Sequence, residues 1–184
     1  MTIEAVLLTG GASRRMGEDK AKLLIDGVPQ AKRIADSLLA AGIPVTTLGR
    51  EPVEGCAFLA DAAEFAGPLA ALARFKPTAE AVFVASCDLP RFNARLVDFL
   101  ASVLGDSDAA IPFVNGFRQP LCALYRASAF DRLDRLNDAC TMAWVDALAC
   151  AIVTEEDLRT GGIHPLSTQG ANTRGELREV LEGS

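Results

Sequence analysis

The chain has 184 residues, half of them apolar, and a formal net charge of −6. That length supports one substantial core and leaves too little chain for two large ones, so a single domain spanning residues 1–184 is expected. The acidic balance excludes the broad basic footprint of a protein that binds polymeric nucleic acid, and no apolar run approaches the ~20 residues that span a bilayer. With no charged-then-apolar leader, the expectation is a soluble, cytoplasmic protein with no membrane partner. Five cysteines form no CxxC pair and read as reduced core residues. The single histidine, His164, has no cysteine near it in sequence, which argues against zinc.

Residues 6–23, VLLTGGASRRMGEDKAKL, open as the apolar run of a buried strand, break at Gly10 and Gly11, and bring Arg14, Arg15 and Lys20 into one loop. Asp26 and Gly27 mark a turn. Ala31, Ile34, Leu38 and Ala41 then recur at helical spacing until Gly42 and Pro44 stop the helix. Residues 45–48 read as a strand, and a strand, loop, helix, strand order requires a crossover, which favours a parallel sheet. A short apolar run over 56–60 ends at Asp61. Gly67, Pro68 and Leu69 open a helix reaching residue 75, with Pro68 where its missing N–H costs nothing. Residues 81–86, AVFVAS, form a central-strand candidate that delivers Asp88 just beyond its carboxyl end.

Residues 93–104 pattern as an amphipathic helix with Leu96, Val97, Leu100 and Leu104 inward. Residues 109–114 and 117–125 flank Asn115-Gly116, the dipeptide of a tight hairpin, and there the sheet should become mixed. Helices are expected over 127–136 and 142–148, a last strand over 149–154, and a closing helix over 176–181. The polar, glycine-bearing stretch 155–170 reads as loop. The fold class that follows is α/β, a three-layer Rossmann-like arrangement with a mostly parallel central sheet and an antiparallel hairpin portion.

The chemistry concentrates in the first loop. Gly10 and Gly11 lack β-carbons, so the backbone there is free to take positive φ and turn its N–H groups toward anionic oxygens. Arg15, a planar fork, and Lys20, a mobile point charge, can neutralise what remains, a combination that suits a polyphosphate. A Walker A loop is excluded because Gly17 is followed by Glu18 and Asp19, and a dinucleotide fingerprint because Ala12 stands where its second glycine belongs. The alternative is a glycine-rich surface turn with solvated arginines. Asp88 is expected at the carboxyl edge of the sheet, where ligands of open α/β folds gather. A carboxylate there suits magnesium beside phosphates, or else serves as a turn residue before Leu89 and Pro90.

Leu8, Gly10, Gly11, Ser13, Arg15, Met16, Gly17, Asp19, Lys20 and Leu23 together resemble the signature loop of the molybdenum cofactor guanylyltransferases, within the wider sugar-nucleotidyltransferase-like group. The resemblance implies a nucleotidyltransferase fold that holds GTP on this loop, with Lys20 on its phosphates. GMP would pass to the terminal phosphate of a molybdenum-molybdopterin acceptor, with release of pyrophosphate. The nucleotide-binding set it implies is Leu8, Thr9, Gly10, Gly11, Lys20, Asp61, Gly67, Leu69 and Asp88, with base choice resting on backbone and apolar groups around Leu8, Thr9, Gly67 and Leu69. Arg15, Lys20 and Asp88 carry the catalytic roles, and Asp88 with Asn172 would hold Mg2+. Read alone, Asp61 is an incidental aspartate beside a capped helix, and Asn172 or Thr173 is a helix cap. Arg118 and Gln119 are either acceptor contacts or, for Arg118, an exposed hairpin charge. A family member also stands to meet cofactor-synthesis or recipient enzymes transiently.

The chain departs from the family pattern at Thr47, at Gly170 and over 137–142, where basic residues are missing. Two alternatives therefore stay open, a cytidylyl or other nucleotidyl transferase of the same family and an inactive nucleotide-binding regulator.

Overall fold

The first apolar run forms β1 (Ile3–Leu8), whose side chains alternate between two cores, Ala5 and Leu7 in one, Val6 and Leu8 in the other. This two-sided burial is what a near-continuous apolar run signals in a parallel sheet covered on both faces. A computed structural model of the chain describes residues 1–10, 20–61, 67–135, 140–171 and 173–182. The short strands β2 (Leu24–Ile25) and β3 (Val28–Pro29) pair as a small ribbon. Its turn uses positive φ at both Asp26 (52°) and Gly27 (79°), the conformation that joins two-residue hairpins. Helix α1 (Gln30–Ala40), strands β4 (Val45–Gly49) and β5 (Ala57–Ala60), helix α2 (Gly67–Arg74) and strand β6 (Ala81–Ser86) follow, close to their sequence expectations. Helix α3 (Arg95–Val103), strands β7 (Ala109–Val114), β8 (Phe117–Arg118) and β9 (Cys122–Arg126), helix α4 (Thr141–Asp146), strand β10 (Cys150–Val153), and helices α5 (Glu155–Thr160) and α6 (Arg174–Glu182) complete the described elements.

The sheet runs in the order β10-β7-β9-β6-β1-β4-β5. Strands β6, β1, β4 and β5 are mutually parallel, β9 lies antiparallel between β6 and β7, and β10 is parallel to β7. The α/β class and the mixed, mostly parallel sheet are thus as expected. One face is covered by α1 and α3 through Ile34, Leu38, Leu96 and Leu100. The other is covered by α2, the 3-10 helix Ala127–Arg135 and α4. On that second face Tyr125 stacks on Trp144 with ring centroids 4.3 Å apart, and Phe130 meets both rings edge-on. Each polar tip finds a carbonyl, Tyr125 Oη donating to Pro120 and Trp144 Nε1 to Ala129.

Four expectations need correction. Residues 117–125 are two strands, because β8 leaves β7 after the Asn115-Gly116 turn and β9 re-enters beside β6. Residues 127–135 are 3-10 rather than α-helical. The stretch 155–170 contains α5 and the 3-10 helix Pro165–Thr168. Thr154 and Asp157 cap α5 reciprocally, and Leu158 and Ile163 are buried against the α3 side of the sheet. With so few apolar side chains the segment shows no periodicity, so only the Thr-x-x-Asp cap could have revealed it. Finally, the cysteines form no disulfide, yet Cys87 and Cys122 alone are buried, Cys56 and Cys150 are partly covered and Cys140 is exposed. No helix among the described residues is long and apolar enough to cross a membrane.

Candidate active site

Because β6, β1, β4 and β5 run in one direction, their carboxyl ends share one edge, and the chain segments that leave them meet there. Beyond β1, the N–H groups of Thr9 and Gly10 both donate to the Leu48 carbonyl, at 2.8 and 3.2 Å, and Thr9 Oγ1 donates to it at 3.1 Å. Beyond β5, the Asp61 N–H donates to the Gly49 carbonyl at 2.9 Å. These bonds bring Gly10 and Asp61 together. A β-carbon at Gly10 would overlap Oδ2 of Asp61 and lie 3.3 Å from its Cγ. At Gly49 a β-carbon would overlap Thr9 Oγ1 and stand 2.8 Å from the Gly10 nitrogen.

Two details of the loop reading change as a result. Gly10 is not at positive φ, so glycine is needed there for close approach and not for a left-handed backbone. Its N–H, expected to face phosphate oxygens, belongs to the bond with Leu48. The Leu8 carbonyl likewise accepts from the Cys87 N–H at 3.1 Å, so base reading at this residue would fall to a carbonyl already in use. Gly49, whose missing side chain lets the β1 turn lie against β4, was not singled out in the sequence. Its place as the last residue of a strand facing a two-glycine turn is the only signal for it.

Gly67 opens α2 with φ 84°, a left-handed conformation that favours glycine, and Leu69 packs into the same apolar cluster as Leu8 and Leu48. Three of the expected nucleotide-pocket residues, Leu8, Gly67 and Leu69, therefore belong to adjoining elements on one side of the sheet. Thr47 is fully buried, and its hydroxyl donates to the Ala57 carbonyl, which makes it part of the sheet interior. Beside Thr9, toward α1, opens a pocket of about 370 Å³ whose walls include Lys22, Lys32, Arg50 and Glu54. Lys22 there pairs with Glu51 at 2.8 Å.

Asp88 follows β6 on the same edge. Ser86 Oγ donates to its Oδ1 at 2.6 Å, and the Ala171 N–H donates to its main-chain carbonyl at 2.9 Å. Segment 170–171 is thereby held against Asp88, although it lies far away in sequence. Asn172, expected to share a cation with Asp88, lies outside the described residues, as do Gly11 and Arg15. Lys20 is placed by its backbone, which opens the 3-10 helix Lys20–Lys22. At the start of α6 the capping role goes to Thr173, whose hydroxyl accepts from the Glu176 N–H at 3.1 Å.

A half-buried carboxylate on this edge is a hard oxygen donor of the type that divalent cations take beside phosphates. A cysteine nucleophile has no support nearby, since burial first and the Asp88 charge second push the Cys122 thiol far above its ordinary range. His164 is occupied structurally, its Nδ1 accepting from the Leu166 N–H at 3.2 Å. Arg118 pairs with Asp146 at 2.6 Å, and Gln119 Nε2 donates to the Phe117 carbonyl.

The model of the MobA-like NTP transferase domain matches residues 5–152. The chain belongs to the MobA-like NTP transferase family. A Nostoc protein named probable molybdenum cofactor guanylyltransferase is 32% identical over 71% of this chain and 69% of its own length. In fold, the chain is similar to the molybdopterin-guanine dinucleotide biosynthesis protein A of Archaeoglobus fulgidus, with a TM-score of 0.79, 20% identity and 96% of each chain covered. It is also similar to a Mycobacterium tuberculosis protein solved in complex with manganese, with a TM-score of 0.68, 17% identity and 100% of each chain covered. Family membership makes the chain a MobA-like nucleotidyltransferase. The signature loop, the Gly-Pro-Leu helix start and Asp88 all fall inside the matched region, whereas segment 170–171 lies beyond it.

Proposed function

We propose that this MobA-like nucleotidyltransferase transfers GMP from GTP to the terminal phosphate of molybdenum-molybdopterin and releases pyrophosphate. The observation that supports it best is the convergence of Gly10, Asp61 and Asp88 on one edge of a parallel sheet in a chain whose curated relative carries the guanylyltransferase name. In this reading the acceptor phosphate oxygen attacks the α-phosphorus of GTP in line, and the bond to the β-phosphate oxygen breaks. No side-chain nucleophile is needed because the acceptor is already anionic, so positioning and charge neutralisation lower the barrier.

The glycine-rich turn and Leu69 hold the nucleotide, and Asp61 lies against the turn at Gly10. Arg15 and Lys20 offset the charge that develops on the leaving pyrophosphate. Asp88 and Asn172 would hold the divalent cation, which we take to be Mg2+. Bound there, it would polarise the phosphate oxygens and screen their charge from the incoming acceptor. Manganese in the Mycobacterium tuberculosis neighbour supports a divalent ion in this fold.

Guanine presents N1–H and N2–H₂ donors that a main-chain carbonyl of the Thr9 segment can accept and an O6 that the N–H groups opening α2 at Gly67 and Leu69 can donate to, and adenine would leave those groups unpaired. The test is pyrophosphate release from each of the four triphosphates with Mg2+ and molybdopterin acceptor. Release with GTP alone is expected. Release with CTP alone would replace this reading with a cytidylyl transferase, and tight GTP binding with no release from any triphosphate would replace it with a regulator.

A further inference from the structure

The Asp88 carboxylate is contacted by two groups that neither the family signature nor the function above assigns. On one side Ser86 Oγ donates to Oδ1 at 2.6 Å. On the other, a β-carbon built at Gly170 would lie 3.1 Å from Oδ1, 3.4 Å from Cγ and 3.5 Å from Oδ2. Three nearly equal distances mean that Gly170 sits over the face of the carboxylate. An approach along one edge would have left the far oxygen much more distant than the near one.

The distinction matters because carboxylate lone pairs lie in the plane of the group, and that is where a hard cation binds. Gly170 lies over a face and not in the plane, and the Ser86 bond bears on the rotation of that plane. An aspartate side chain has several staggered wells to choose from and a broad χ2, so the hydroxyl narrows that choice. The backbone around both partners is tied down. The Ser86 N–H donates to the Leu121 carbonyl at 2.8 Å, and the Ala171 N–H donates to the Asp88 carbonyl at 2.9 Å. Gly170 is not at positive φ, so its lack of a side chain answers to the carboxylate and not to the backbone.

We propose that Ser86 is a positioning residue for Asp88, with Gly170 as the space that lets the oriented carboxylate stand, and that together they set the affinity of the site for its divalent cation. The proposal rests on the metal reading of Asp88 given above. It requires no new chemistry at Ser86, whose proton stays on its own oxygen throughout.

The experiment is a titration of Mn2+ against the full chain in the presence of GTP, followed by electron paramagnetic resonance of the free ion, with the Mn2+ that the same GTP binds without protein subtracted. Ser86→Ala, Ser86→Thr and Gly170→Ala are compared with the wild type, with a thermal melt for each. Partners that orient a metal ligand are worth about tenfold or more in metal affinity, so Ser86→Ala is expected to bind Mn2+ about tenfold more weakly. Ser86→Thr, which keeps the hydroxyl, should bind as the wild type does. Gly170→Ala should weaken Mn2+ binding from the other side, and it decides the matter should Ser86→Ala melt below the assay temperature. Wild-type Mn2+ affinity in Ser86→Ala or, where that variant is unfolded, in Gly170→Ala overturns the proposal, as does a failure of threonine to restore what alanine loses. If the wild type itself binds no Mn2+ with GTP present, the metal reading falls and takes this inference with it. Normal wild-type binding with an indifferent Ser86→Ala sinks the inference alone.

Discussion

Gly10 and Asp61 stand so close that a single β-carbon on the first would overlap a carboxylate oxygen of the second. Neither backbone at the contact can move cheaply, so it is the Asp61 carboxylate, the far end of a side chain, that would have to turn aside. The Gly10 N–H is bonded to Leu48, and the Asp61 N–H is bonded to Gly49, the residue next to Leu48 on β4. Gly10→Ala is therefore expected to push Asp61 out of place, with an overpacking cost of about 1 to 3 kcal/mol that shows in a thermal melt. GTP affinity measured by calorimetry should fall with it. An alanine variant with wild-type affinity and melting temperature would show that the contact has no bearing on the site.

Lys20→Ala is expected to reduce turnover strongly while leaving the melt nearly unchanged. A charge that stabilises the departing pyrophosphate is worth about 2 to 4 kcal/mol in the transition state. The pyrophosphate-release rate at saturating GTP reads this directly, and an unaltered rate would remove Lys20 from the mechanism.

Asp88→Asn exchanges the charged ligand proposed for the cation for a neutral amide of the same shape. The fold should persist, because the main-chain carbonyl that binds the Ala171 N–H is untouched. Turnover should fall by a factor of a hundred or more on the order expected for lost electrostatic stabilisation, and the Mg2+ concentration needed for half-maximal rate should rise. A variant whose Mg2+ dependence matches the wild type would place the cation elsewhere.

Trp144→Ala tests the second core without touching the site. The side chain is fully buried, stacks on Tyr125 and bonds the Ala129 carbonyl. Truncating a buried tryptophan typically costs about 3 to 5 kcal/mol. Urea unfolding followed by circular dichroism should show that loss as a lower midpoint, since the chain has no other tryptophan to report fluorescence.

Acid should loosen the α5 region first among the capped segments. The hydrogen bonds from Thr154 hold the Asp157 carboxyl below its ordinary value of 3.8, and the Asn115 N–H with Arg159 holds Glu155 below 4.5. Folded-state values below the unfolded ones mean that the stabilisation is complete at neutral pH and is lost as pH falls through the folded-state values. Hydrogen exchange at α5 should accelerate below about pH 4, relative to α1, and Thr154→Ala should flatten that dependence through the Asp157 share. Equal acceleration in α1 and α5 would refute the assignment.

The sequence by itself determined the strands that are buried on both faces, the Asn115-Gly116 turn, the amphipathic helices α1 and α3, and the loop motif that points to a triphosphate. Each of these is written in a local pattern, an apolar run, a helical period or a dipeptide with positive φ. Only the tertiary structure decided that β9 inserts antiparallel between β6 and β7, because strand order is set by contacts between segments far apart in sequence. The same holds for the pairing of Gly10 with Asp61 and for the packing of Gly170 over Asp88. A glycine announces that a side chain is missing, but what occupies the vacated space is set by long-range register, which no local pattern encodes. Helix α5 was hidden for the opposite reason, since its stability comes from a two-residue cap and the buried Leu158, with Ile163 just beyond it, rather than from any repeat.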